Sequence, residues 1–242
     1  MKRHCFAASM VLALSAGIAS AGPIGLIDDF SGSLAPYTAT RVLKATPGAP
    51  DNTGQWEISG GALQFNTSVY GGIEQYALTR TDVALGVGEE LRADYLGGNN
   101  GSQDIGLYVG AGHPTANVRA DYVNVYVRNN GQLYSRGFDG AAEMSLGGGS
   151  APANLESLFV KRLATDVFEL GYYNDGGLRN IVSTRTISGG NAAGIGDAIG
   201  FYADVRAAGI RGGMDNLRIV PEPAAGLLAL GAMGVVVMRR RK

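Results

Sequence analysis

Asp121-Tyr122-Val123-Asn124-Val125-Tyr126-Val127-Arg128 alternates apolar and polar side chains almost residue by residue. A β-strand turns successive side chains to opposite faces, so Val123, Val125 and Val127 share one face and Tyr122, Asn124, Tyr126 and Arg128 the other. Asn129-Asn130-Gly131 follows, a turn whose residues tolerate positive φ, and 132–138 returns as the second arm of a hairpin. One face of this strand is made for a core; the other is free for a second use.

Outward from this hairpin, short alternating segments recur about every 8 to 15 residues between Gly, Asn and Asp clusters, which is the pattern of an all-β chain. Strands are predicted over 25–30, 38–43, 62–65, 73–78, 90–96 and 104–109, and after the hairpin over 158–163, 167–173, 179–187, 198–203 and 214–220. Asn174-Asp175-Gly176-Gly177 marks a second hairpin. About a dozen strands are too many for one flat sheet, so two packed sheets are expected. No linker interrupts residues 22–220, which predicts a single sandwich domain with Trp56, Ile58 and Leu63 in its core.

Composition narrows the chemistry. The 242 residues include 38 Gly but one Cys, Cys5, and two His, His4 and His113. Thiolate zinc sites, redox CxxC pairs and cysteine nucleophiles therefore lack their residues, and catalysis would fall to carboxylates. Between Gly22 and Val220, 14 basic residues face 20 acidic ones, a net charge of −6. Scattered cations on an acidic body give no footprint for a phosphate backbone, so nucleic acid is not an expected partner.

The two ends are read apart from the fold. Lys2, Arg3 and His4, the apolar run 5–19 and Ala19-Ser20-Ala21 have the order of a secretory signal helix, cut by signal peptidase after Ala21 through the small residues Ala19 and Ala21. Its removal leaves a mature chain without cysteine, so no disulfides are expected and the core must stabilise it. At the other end Val220-Pro221-Glu222-Pro223 leads into an apolar helix over 224–238 and then Arg239-Arg240-Arg241-Lys242. Fifteen helical residues span about 22 Å, short of the roughly 30 Å hydrocarbon core, so a marginal membrane-spanning helix is expected, with its cations on the cytoplasmic side.

These three C-terminal parts, over residues 221–242, resemble the PEP-CTERM sorting signal of Gram-negative bacteria. The resemblance implies processing by a membrane-embedded exosortase at Val220, Pro221, Glu222 and Pro223, with Arg239, Arg240 and Arg241 as the terminal cluster. It also implies export through an inner-membrane intermediate to the cell surface or extracellular matrix. A second resemblance lies in the body: Ile27-Asp28-Asp29-Phe30-Ser31-Gly32, Trp56-Glu57-Ile58-Ser59-Gly60-Gly61-Ala62-Leu63 and Met214-Asp215-Asn216-Leu217-Arg218-Ile219 are similar to concanavalin A-like jelly-roll sandwiches. That implies pairing of the first and last strands.

Within that superfamily, laminarinase-type glycosidases carry E-x-D-x-x-E on one strand; no Glu from Glu57 to Glu222 has an Asp two positions on. Glu90 and Asp94 share a strand face with Arg92 and read as a solvated charge set. His113 lies in Ala111-Gly112-His113-Pro114, a turn, and no G-x-S-x-G elbow accompanies it, so it reads as a surface-loop residue. No cofactor is required. Calcium needs only oxygen ligands, and Asp29 and Asp215 are the candidates if the terminal strands pair, although each also suits a turn. Tyr122, Asn124, Tyr126 and Arg128 combine aromatic faces with planar hydrogen-bonding groups, as sugar recognition needs; the competing reading is cross-strand tyrosines packed on a second face. The expectation is an exported, non-enzymatic surface or matrix protein binding polysaccharide through a sheet face. The alternative is a divergent carbohydrate-active enzyme, a carboxylate-based glycoside hydrolase or lyase.

Overall fold

Thirteen strands anticipated from alternation are present, and three more join them. The computed structural model describes residues 25–44, 47–48, 51–67, 72–97, 105–128, 130–189, 192–206 and 208–221. The signal helix, the C-terminal helix, Ala19, Ala21, Glu222, Pro223, Arg239, Arg240 and Arg241 lie outside them.

In chain order the strands are β1 (Leu26–Asp28), β2 (Thr38–Lys44), β3 (Trp56–Ser59), β4 (Ala62–Thr67), β5 (Glu74–Arg80) and β6 (Glu90–Gly97). Then come β7 (Ile105–Gly110), β8 (Tyr122–Val127), β9 (Gln132–Asp139), β10 (Ala142–Glu143) and β11 (Gly147–Ser150). The last five are β12 (Leu155–Arg162), β13 (Val167–Asn174), β14 (Leu178–Thr186), β15 (Ala198–Val205) and β16 (Gly209–Val220). Alternation does not mark β3, β10 and β11. β3 is four residues beside a turn, β10 is two, and β11 begins with three glycines and has almost no side chains to alternate.

Two antiparallel sheets result. Sheet I runs β14-β13-β12-β6-β16-β4-β3 and sheet II runs β10-β9-β8-β7-β15-β5-β2; β1 adds to β16, and β11 pairs with β9. The first and last strands do pair: Leu26 lies opposite Arg218, and Ile219 donates its N–H to the Gly25 carbonyl at 2.9 Å. Residues from both sheets fill the space between them, among them Val123, Val125 and Val127 from β8, Phe201 from β15, Leu91 from β6 and Leu158 from β12. Each is closed to solvent, and each such side chain stabilises the fold by about 1.5 to 3 kcal/mol relative to exposure. Trp56, 7% exposed, stands edge-on to Phe65 with ring centroids 4.8 Å apart in the same core.

Candidate functional site

Sheet II carries a second layer on the face away from this core. Because β8 alternates, Tyr122 and Tyr126 turn to that face, where they meet Tyr108 of β7, Tyr202 of β15, Phe138 of β9, Val42 and Ala77. The register makes room for the rings: Gly106 stands between Tyr126 and Tyr202, and Gly200 lies opposite Tyr108. Ring centroids lie 5.0 Å apart for Tyr108 and Tyr122, 4.8 Å for Tyr122 and Phe138, and 5.1 Å for Tyr126 and Tyr202. Tyr126 and Tyr134, directly opposite on β9, are stacked.

Polar groups are set into the aromatic layer. Asn124 sits between Tyr108 and Arg136 in the register, fully buried, with neither its amide oxygen nor its nitrogen bonded to the protein. The hydroxyls of Tyr122, Tyr126 and Tyr202 are likewise without protein partners. Burial pushes the phenols of Tyr108, Tyr122, Tyr126 and Tyr202 upward, so they stay neutral donors at all ordinary pH values. A buried polar atom without a partner costs about 1 to 3 kcal/mol, so the layer holds unmet hydrogen-bonding capacity.

The four sequence candidates therefore share one face, but they do not form its outer surface. Tyr122, Asn124 and Tyr126 are closed to solvent; only Arg128 reaches it, held 3.4 Å from the buried Asp204 and over the Tyr134 ring. Alternation assigns residues to a face without saying whether that face is covered.

The opening is at one end of the layer. A cavity of about 330 Å³ is lined by Tyr108, the 111–115 turn, Val118, Asp121 and Gly194. Asp121, just before β8, takes φ of 54°, and its carboxylate accepts the Gly140 N–H at 2.9 Å while its carbonyl accepts the Ala111 N–H at 3.1 Å. It thus pins the turn after β7 and the turn after β9 around the cavity. His113 is exposed on the surface turn, as expected, yet its Nδ1 meets the Thr79 hydroxyl of β5 at 2.8 Å. That bond fixes the ring and leaves Nε2 for another group. Alternation gives no sign of Tyr108, His113 and Asp121 as a site, because β7, a turn and a strand start converge only in the folded sheet.

The calcium candidates do not converge. β1 places Asp28 opposite Leu217, whereas Asp215 lies opposite Asp94 of β6. Asp29 turns back onto Ser31, bonding its N–H and hydroxyl and holding the carboxyl below its ordinary range, and Asp215 bonds the Asn216 N–H at 2.7 Å. Among the described residues no three His, Cys, Asp or Glu side chains gather where a metal ion could sit. Asp29 and Asp215 do not fit a shared calcium ion.

Glu90 also differs from expectation. It is 5% exposed rather than solvated, bonded by Arg92 at 2.6 Å, by the Tyr173 hydroxyl at 2.9 Å and by Arg179 at 3.2 Å. Asp94 belongs to a separate group with Arg218 and Asn216.

Solved structures share this arrangement of sheets. The exoplasmic/lumenal domain of VIP36 in a metal-free form superposes with a TM-score of 0.51 at 9% identity, covering 81% of this chain and 91% of that one. A legume lectin-like domain from Entamoeba histolytica gives 0.53 at 9% identity, covering 78% and 91%. A point mutant of the Emp46p carbohydrate recognition domain gives 0.51 at 10% identity, covering 82% and 96%. The fold is a legume-lectin-like sandwich. The VIP36 domain is also known in a form bound to Ca2+ and Man3GlcNAc. No protein-family model and no curated protein sequence matches the chain.

Proposed function

We propose that the protein is an exported, non-enzymatic polysaccharide-binding module of the cell surface or extracellular matrix, sorted by its PEP-CTERM signal. The observation that carries the binding part is the 330 Å³ cavity at the end of the tyrosine layer. It meets the edge of the tyrosine layer at Tyr108, which is 1% exposed and packed on Tyr122, and it presents polar groups in His113 and Asp121. A concave site with a few fixed hydrogen-bonding groups suits the hydroxyls of a sugar. The lectin-like fold supports this class of ligand. Among the described residues Asp121 is the single carboxylate lining the cavity, and glycoside hydrolysis ordinarily takes two, so binding is the better reading than catalysis.

Delivery rests on the two terminal segments: signal peptidase would act after Ala21 and an exosortase near Pro221. Mass spectrometry of exported protein tests it, and intact Arg239–Lys242 in all mature material would sink it. Binding is tested by a glycan array and polysaccharide pull-down with the full chain and with His113→Ala, with and without calcium. Neutral glycan binding that weakens in the folded variant and ignores chelator is the expected result; unchanged binding would remove the cavity from the proposal.

A further inference from the structure

The outer face of sheet I holds a second built cavity, on the opposite side of the sandwich from the tyrosine layer. It measures about 260 Å³ and is lined by Glu90, Arg92, Lys161, Tyr173, Arg179 and, at the end of β16, Val220 with Pro221. Three cations thus stand against two carboxylates, Glu90 in the lining and Glu169 beside Arg179, on a body whose net charge is negative.

The two arginines are held in fixed planes. Arg92 lies over the Tyr173 ring at 3.7 Å and Arg179 over the Phe159 ring at 4.1 Å, with Phe159 and Tyr173 themselves edge to face at 5.4 Å. Glu90, buried beneath them, accepts Nε and Nη2 of Arg92 and Nε of Arg179; Glu169 accepts Nη2 of Arg179 at 2.9 Å. These bonds occupy two nitrogens of each guanidinium and leave Nη1. Gly171 keeps the floor low, since a Cβ there would lie 2.7 Å from the Phe159 ring. The result is a pair of oriented, weakly hydrated donors beside a lysine and a tyrosine ring, in a space large enough for a pyranose.

We propose that this cavity binds the carboxylate of an acidic sugar, a uronate unit of a polysaccharide, independently of the cavity at His113. The remaining Nη1 groups of two oriented guanidiniums offer a carboxylate charge-assisted hydrogen bonds. The polymer partner rests on the polysaccharide-binding reading; the anion site does not.

The test is titration of the full chain with trigalacturonate, with neutral trigalactose and inorganic phosphate as separate arms, followed by calorimetry. Trigalacturonate alone should bind, more weakly as salt rises. Arg179→Gln should weaken it about tenfold or more, the worth of a charge-assisted hydrogen bond. Because Arg179 also neutralises buried Glu90, Lys161→Gln is the second variant: it removes one cation and leaves the bonds of Glu90 to Arg92, Tyr173 and Arg179 in place, and it too should weaken binding. His113→Ala should leave it unchanged. No binding of trigalacturonate, equal binding of trigalactose or of phosphate, or full binding by both cation variants would overturn the proposal. Loss of neutral glycan binding with uronate binding intact would count against the His113 cavity alone.

Discussion

Arg185 of β14 donates from Nη2 to the Ser135 carbonyl at 3.1 Å and to the Ser135 hydroxyl at 3.2 Å, joining the edge of sheet I to β9 of sheet II. The side chain is 6% exposed, burial holds its pKa below the ordinary arginine value, and its bonds there go to neutral oxygens. Ser183, two residues earlier, meets the same Ser135 hydroxyl at 2.6 Å. The two sheets are therefore fastened at this edge by polar bonds as well as by the apolar core.

Removing that fastening should loosen one edge and leave the core intact. Arg185→Ala is expected to cost about 2 kcal/mol, the range of a hydrogen bond to a charged group. Urea unfolding measures it, and hydrogen exchange should rise first in β9 and β14. A loss spread evenly over both sheets would contradict a local role.

Gly106 lies where β7 passes β8, and a Cβ there would sit 2.0 Å from the Val125 carbonyl oxygen and 2.4 Å from the Tyr126 Cα. Backbone atoms cannot turn aside as a flexible side chain can. Gly106→Ala should destabilise by about 3 kcal/mol or more, at the upper end of what overpacking costs, and urea midpoints would show it.

The unpartnered phenols invert the usual result of removing a polar group. Tyr202→Phe deletes a buried hydroxyl without a protein partner and keeps the ring, so the folded state should gain roughly 1 kcal/mol. A thermal melt decides it. A lower melting temperature would mean that the hydroxyl bonds to water held within the layer.

Glu74 sets the direction of one pH effect. It is 1% exposed, and burial pushes its carboxyl above the ordinary 4.5, with Arg41 partly opposing the rise. The folded state then holds the proton more tightly than the unfolded chain. The favourable contribution is complete below the unfolded pKa and disappears as pH rises through the folded value. Glu74→Gln should match the wild type in acid and exceed it near neutral pH. A variant less stable at neutral pH would show that the ion pair with Arg41 outweighs burial.

Much of this architecture could be read from alternation alone. The valines of β8 face the core and its tyrosines do not, because the period of a strand is fixed by backbone geometry. The pairing of β1 with β16 also agrees with the resemblance of the two edge motifs. What alternation cannot carry is the depth of the second face: Tyr122 and Tyr126 pack with Tyr108, Phe138 and Tyr202, and neither they nor Asn124 reach solvent. Nor does it carry convergence. Tyr108, His113 and Asp121 meet because of one turn and one residue at positive φ, and Glu90 is drawn inward by arginines from β6 and β14. The single sequence signal of the cavity is an aspartate set immediately before the most regular strand. Asp29 and Asp215 fail in the opposite sense, since strand pairing brings chains together but its register decides which side chains meet.

The junction of β1 and β16 also has a mechanical meaning. Gly25 and Ile219 are bonded neighbours at the outer end of an antiparallel pair, so the first and last described strands end side by side. Tension applied between residues 25 and 221 acts across that pair and parts its hydrogen bonds one after another, instead of shearing them together. Pulled between residues 25 and 221, the pair should open at low force.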